Sequence, residues 1–423
     1  MGAMSPAFSA CRACVPLLLV LGACSPSYVR HTAQVRALAE AERYPEALQE
    51  LDAAAGREPL DRLLVLTDRG ALLHRAGAWE QSTRALREAA QLADERETVR
   101  LSEELFGSAP WRMGTLERQA LHTLNALNAL QSRRLEEAAV EARLTDGLRL
   151  RQHLETRHRR KLEQNLTLVP FDEDFRAYLE RPAIGLYVSG LAHELAGNED
   201  SAFIDYLEAW RVTRLAPPGA PSHLTHLVPK LVAEARRLNR PELPELERLL
   251  PATQVPTVPD PGELVVVVEA GFIPERCVLP RAGGAVWSVC ARRWSHAKAR
   301  IEVAGQSQVA ETVTSLENLL LRRGALGALT DTEREASLAM DLGAAVSYLL
   351  LPPVGGALII RRVSESHNRM AQGWLSLPAE FQLVRLPLPK GRQVVRVLGG
   401  TREQVHEVDI RAGGPTVLVV QLD

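Results

Sequence analysis

Aromatic side chains are scarce in this chain, only 4% of 423 residues, so its interior has to be built mainly from aliphatic and small side chains. Neither sign of charge is in excess: 50 Lys+Arg face 52 Asp+Glu. That balance leaves no electrostatic footprint for nucleic acid, and no nucleic-acid partner is expected. The longest amino-terminal apolar run, Ala13 to Ala23, falls well short of the roughly 20 residues that cross a bilayer as a helix. No Gly-rich phosphate loop, G-x-S-x-G elbow or H-E-x-x-H occurs, so neither an enzyme nor a cofactor is expected. The length allows two or three domains.

The apolar run in "VPLLLVLGACSPSY" stops at Leu21-Gly22-Ala23-Cys24. An aliphatic residue, two small residues and a cysteine resemble the lipobox of bacterial lipoproteins. The resemblance implies that residues 1–23 are a signal peptide, that Cys24 receives a diacylglyceryl group, and that the new amino terminus is acylated. At roughly 0.8 kcal/mol per buried methylene, two or more chains hold a protein at a membrane where one does not. Ser25 rather than Asp follows, which in Gram-negative lipoproteins implies the outer membrane, facing the periplasm. An ordinary secretory signal with a coincidental cysteine is the alternative. Cys11 and Cys14, a C-x-x-C, fall in the segment that would be removed.

Beyond a tether at 24–29, residues 30–250 carry apolar positions at spacings of three and four, the pattern of successive helices. The helices repeat. Gly70 is followed after twelve residues by Ser82, then by Leu86 and Ala89; Gly190 is followed after twelve by Ala202, then by Tyr206 and Ala209. Ala126 and Ala138 stand at the same offset, and Ala47, Leu51 and Ala54 fit the second half of another unit. Small residues facing each other let paired helices approach closely, and Gly77 and Gly197 suit the left-handed helix end. These units resemble tetratricopeptide repeats, which implies a concave face that binds protein segments. Two stripes are the groove candidates: Thr67, Ala71 and His74, and Tyr187, Leu191 and Glu194.

"PATQVPTVPDPG", residues 251–262, breaks the helices and is read as a linker. Residues 263–423 then read as a mixed α and β domain. "ELVVVVEAG" has the composition of a buried strand, Glu311 to Arg323 and Asp331 to Leu350 look helical, and "RQVVRVLGG", "HEVDIRAG" and "TVLVVQLD" close the chain as strands. If Gly283-Gly284 is a two-residue hairpin loop, outward counting puts Cys277 opposite Cys290, and an exported protein would pair them as a disulfide.

"GELVVVVEAGFIPER" and "WLSLPAEFQLVRLPLPKGRQVVRV" are similar to stretches of a little-studied family of repeat-containing bacterial envelope lipoproteins. The resemblance implies an envelope location and no established activity. Candidate ligands elsewhere are sparse. His193-Glu194 lacks the second histidine of a zinc motif, His223 and His226 lack further ligands, and Asp172 to Asp174 suit a helix start better than a calcium loop. The expectation is an all-α tetratricopeptide-like repeat domain followed by a mixed α+β domain, without bound metal. It is read as a lipid-anchored scaffold for periplasmic or envelope proteins, in cell-envelope or peptidoglycan assembly. An accessory lipoprotein of a secretion system, or an enzyme with its site in the second half, are the alternatives.

Overall fold

The computed structural model describes residues 28–96, 110–145, 182–214, 224–249, 262–281, 284–290, 292, 294, 297–325, 372–412 and 414–422. Cys24, the acidic cluster at 172–174, His223 and the stretch from Asp331 to Leu350 lie outside them. Two sets of helices and two four-stranded sheets make this a mixed α/β multidomain protein.

The helical part comprises α1 (Tyr28–His31), α2 (Ala33–Glu40), α3 (Tyr44–Arg57), α4 (Arg62–Arg75), α5 (Trp79–Glu95), α6 (Thr115–Gln131), α7 (135–145), α8 (Ala183–Leu195), α9 (Glu199–Arg214), α10 (Leu227–Arg237) and α11 (Leu243–Glu247). Five of these helices end in the same way. Glu42, Gly77, Arg133, Gly197 and Asn239 all have positive φ. The next residue's N–H reaches back to a carbonyl of the helix just ended: Arg43 to Leu38, Ala78 to Leu73, Arg134 to Ala129, Asn198 to His193 and Arg240 to Ala235, at 2.8–2.9 Å. This is the Schellman closure, which satisfies orphan carbonyls and reverses the chain.

Seven residues before each left-handed position stands a buried residue of the first helix: Val35, Gly70, Ala126, Gly190 and Val232. Two of these sites have no room for a side chain. A Cβ on Gly70 would lie 2.5 Å from Leu86, and one on Gly190 would lie 2.8 Å from the Tyr206 ring. Ser82 Oγ donates to the Gly70 carbonyl at 2.7 Å, while Ala138 and Ala202 are buried at the corresponding positions of their pairs.

The strands are β1 (Gly262–Ala270), β2 (Glu275–Arg281), β3 (Gly284–Cys290), β4 (Arg300–Val303), β5 (Gln306–Val309), β6 (Glu311–Ser315), β7 (Glu380–Leu388), β8 (Gly391–Gly399), β9 (Arg402–Ile410) and β10 (Pro415–Leu422). One sheet has the order β10-β1-β7-β6, with β1 parallel to β10 and antiparallel to β7; the other is antiparallel with the order β5-β4-β8-β9. The continuous apolar character of β1 follows from its place in the middle layer. Val265 and Val267 join the helices' core, whereas Leu264, Val266 and Val268 join the core between the two sheets. A strand covered on both faces loses hydrophobic alternation.

The helix-side core runs from Leu63 and Leu124 through Leu191 to Val265, Phe381 and Val419. The proline-rich stretch therefore separates two sequence segments that share one core.

Two expectations need correction. The segment from Glu311 begins as strand β6 and becomes helix only at α12 (Leu316–Ala325), because its first residues, Glu-Thr-Val-Thr-Ser, pair with β7. The hairpin register is also shifted. Arg281 pairs with Gly284, so Cys277 stands opposite Ser288 while Cys290 stands opposite Glu275. Counting outward from Gly283-Gly284 therefore put every pair out of register. Cys290 is disulfide-bonded, and its register partner lies two residues from Cys277 along β2.

Candidate functional site

Thr67, Ala71, His74, Tyr187 and Leu191 are all buried, and the Glu194 side chain is 17% exposed. The face chosen as a groove is thus not open. The sheet β10-β1-β7-β6 packs against it, so the second half of the same chain occupies the place assigned to a partner. Thr67 itself turns back, donating from Oγ1 to the Leu64 carbonyl at 2.9 Å.

His74 and Glu194 are equivalent by position, each four residues after the glycine of its pair. Both reach the sheet. On β1, Glu263, Val265, Val267 and Glu269 share one side by alternation, and the two carboxylates at its ends meet different helix pairs. His74 Nε2 lies 2.9 Å from Glu269 Oε1 and its Nδ1 lies 2.7 Å from Asn128 Oδ1, among residues at most 1% exposed.

The proton positions here follow from a chain of donors. Ser82 gives its one hydroxyl proton to the Gly70 carbonyl and so must accept from Asn128 Nδ2, 2.8 Å away. Asn128 therefore turns its oxygen to His74, whose Nδ1 must donate. Helix and strand are thus joined by a buried His74–Glu269 contact, while Trp79 packs edge-on against the imidazole at 5.1 Å.

At the other end of β1, Arg385 from β7 donates to Glu194 at 2.9 and 3.0 Å and to Glu263 at 2.8 Å. Glu194 also accepts from Lys230 Nζ at 2.7 Å and from the Tyr206 hydroxyl at 2.6 Å. Burial would raise the Glu194 carboxyl, but Arg385 and Lys230 outweigh it and hold the group below its ordinary range. Burial is likewise the main reason that Tyr187 is pushed up to about 12.

A third tie uses Asp68 on α4. Its Oδ1 accepts from the backbone N–H groups of Leu375 and Ser376, at 3.2 and 3.1 Å, and from the Ser376 hydroxyl at 2.6 Å; its Oδ2 accepts from Tyr28 at 2.6 Å. Burial raises the Asp68 carboxyl above its usual value, and the hydrogen bonds from Ser376 and Tyr28 partly offset this. Nearby, Arg75 donates to the Gly271 carbonyl at 2.6 Å and stacks over Phe272 at 3.9 Å.

Between Thr32, Arg36, Asp68, Phe272, Arg292 and Ser376 lies a cavity of ≈ 10 Å³, enough for about one water molecule. Ser189, His193 and Asp205 lie together between α8 and α9 without the order of a nucleophilic triad. The serine donates to Asp205 at 2.6 Å, and His193 Nε2 stands 3.9 Å from the same oxygen, all three buried. His226 meets Glu311 at 3.2 Å. Among the described residues no group of three or more His, Cys, Asp or Glu could hold a metal ion, and no helix is long and apolar enough to cross a membrane.

The sequence reading missed Asp68, Asn128, Glu269 and Arg385. Glu269 and Arg385 carried a signal: each is a charged residue beside an apolar stretch of a strand, Val265 to Val268 in one case and Leu383-Val384 in the other. Comparison with family models, with curated proteins and with solved structures finds no match in any of the three.

Proposed function

We propose that this protein is a lipid-anchored scaffold of the bacterial envelope, held at the outer membrane through Cys24 and facing the periplasm. In this reading the five helix pairs among the described residues are repeats of the tetratricopeptide kind. The observation that carries it is the recurrence of one turn, with the left-handed residue always seven positions after a buried first-helix residue. A chain that spends five similar pairs on one array builds an extended surface, and extended surfaces serve protein association. The motif ending at Cys24 supports the location.

The inner stripe is taken by the chain's own sheet, so partners meet other faces. Exposed apolar residues mark them: Ile204 on α9 (38%), Val140 and Leu144 on α7 (42% and 46%), and Val394 and Val405 on the outer sheet (53% and 59%). A photo-crosslinking amino acid at Ile204, Leu144 or Val405 should capture specific envelope proteins in living cells, while one at Thr67 should capture none. Absence of a specific adduct at all three exposed positions would sink the scaffold reading. Fatty-acid labelling tests the anchor separately: wild type takes up label and Cys24→Ser does not.

A further inference from the structure

We infer that the end of the molecule formed by α1 and α2 lies directly against lipid headgroups, so that the anchor fixes the orientation of the whole body. This rests on the proposed lipidation of Cys24 and goes beyond it. Lipidation alone says only that the protein is tethered; the length of the tether and the way it enters the fold decide how the body stands.

Only Ser25, Pro26 and Ser27 separate Cys24 from Tyr28. Four Cα–Cα steps reach at most about 14 Å, and the headgroup layer takes up roughly 5–7 Å of that. Little clearance remains. Tyr28 is not the loose end of a tail either. It is 1% exposed, its hydroxyl reaches Asp68 at 2.6 Å and the Leu64 carbonyl at 3.1 Å, and Arg36 holds the Val29 carbonyl at 2.7 Å. For the body to stand off from the bilayer, α1 would have to be pulled out of the core.

The chemistry of this end agrees with its position. Across α1 and α2 the chain carries Arg30, His31 and Arg36 against one carboxylate, Glu40 at the end of α2, which lies 3.3 Å from Arg292. Arg30, Ala33, Gln34 and Ala37 are exposed. The exposed Arg30 suits lipid phosphates, and confinement by the tether makes even a weak attraction effective. The other end of the array, among the described residues, is formed by α10 and α11.

The test uses the full-length protein, lipidated in cells and reconstituted into vesicles of phosphatidylethanolamine and phosphatidylglycerol. Single cysteines are introduced by Gln34→Cys or by Arg236→Cys, the latter at a side chain 65% exposed on α10. Alkylation by a bulky polyethylene-glycol maleimide is followed without reductant. In the vesicles Gln34→Cys should react at least about fivefold more slowly than Arg236→Cys. The two should react alike in the unlipidated Cys24→Ser protein, and ten Gly/Ser residues inserted after Ser27 should abolish the difference. Equal rates in a protein whose mass shows lipid on Cys24 would overturn the orientation and leave the anchor standing. A mass without lipid would overturn both.

Discussion

Two carboxylates, the buried Asp68 and the half-buried Glu194, carry much of the connection between the helices and the second half of the chain, and they differ in a way that can be measured. Asp68 accepts four hydrogen bonds, three of them on Oδ1. Asn at this position keeps an oxygen for those three donors, and Tyr28 can still donate to the Leu64 carbonyl. Asp68→Ala removes every acceptor and strands two backbone N–H groups. We expect Asp68→Ala to cost about 3 kcal/mol or more and Asp68→Asn about 1–2 kcal/mol. Equal shifts in denaturation midpoint would contradict this hydrogen-bond count. Glu194 differs because its cationic partners hold its folded-state value below that of the unfolded chain. Its stabilisation is therefore complete above the ordinary carboxylate range, near pH 4.3, and is lost as the pH falls through the depressed folded value. Glu194→Gln should destabilise by about 1–3 kcal/mol at pH 7, with the gap to wild type narrowing towards pH 3. A gap unchanged between those two pH values would show that the ion pairs contribute nothing.

At the scale of helices and strands, Gly70 and Gly190 occupy the same position in their pairs but face different neighbours. Gly70 meets the branched end of Leu86; Gly190 meets the Tyr206 ring, whose hydroxyl is tied to Glu194. A leucine tip can rotate aside, whereas a tethered ring cannot. Gly190→Ala should therefore cost about 2–3 kcal/mol, and Gly70→Ala about 1 kcal/mol less, because the helix-propensity gain is the same in both. If Gly70→Ala proves the more damaging, the two pairs do not share this packing. Both glycines were legible in the sequence, as were the turns at Gly77 and Gly197, because only glycine advertises a close approach or a left-handed residue. The turns at Glu42 and Arg133 were not, since neither residue type announces positive φ. The valine run of β1 was legible as a strand. Which core each valine enters was not, because burial on both faces erases the alternation that marks a side. The stripes through Thr67 and Tyr187 were read as an open groove, but periodicity says only which residues share a face and not what covers it. That the cover is the chain's own sheet depends on Glu269 and Arg385, about two hundred residues further on.

For the molecule as a whole, the shared core decides how it unfolds. Leu124 on α6 and Phe381 on β7 belong to one continuous cluster, each at most 2% exposed. Helices deprived of the sheet would expose the stripe from Leu63 to Leu191 and leave Asp68, His74 and Glu194 without their partners. A sheet deprived of the helices would expose Val265, Val267 and Phe381, with Arg385 and Glu269 uncovered beside them. Neither part keeps a closed interior alone, so the two should melt together. Truncations test this. Leu124→Ala is expected to cost about 2–5 kcal/mol and Phe381→Ala about 3–5 kcal/mol. Far-ultraviolet circular dichroism follows mainly the helices, so a strand mutation that moves this signal acts on them through the interface. Both variants should shift one single transition to lower denaturant, with its slope unchanged. Should Phe381→Ala leave the helical transition where it was, or split it into two steps, the halves would be independent domains and the sheet only a loose cover on the helical array.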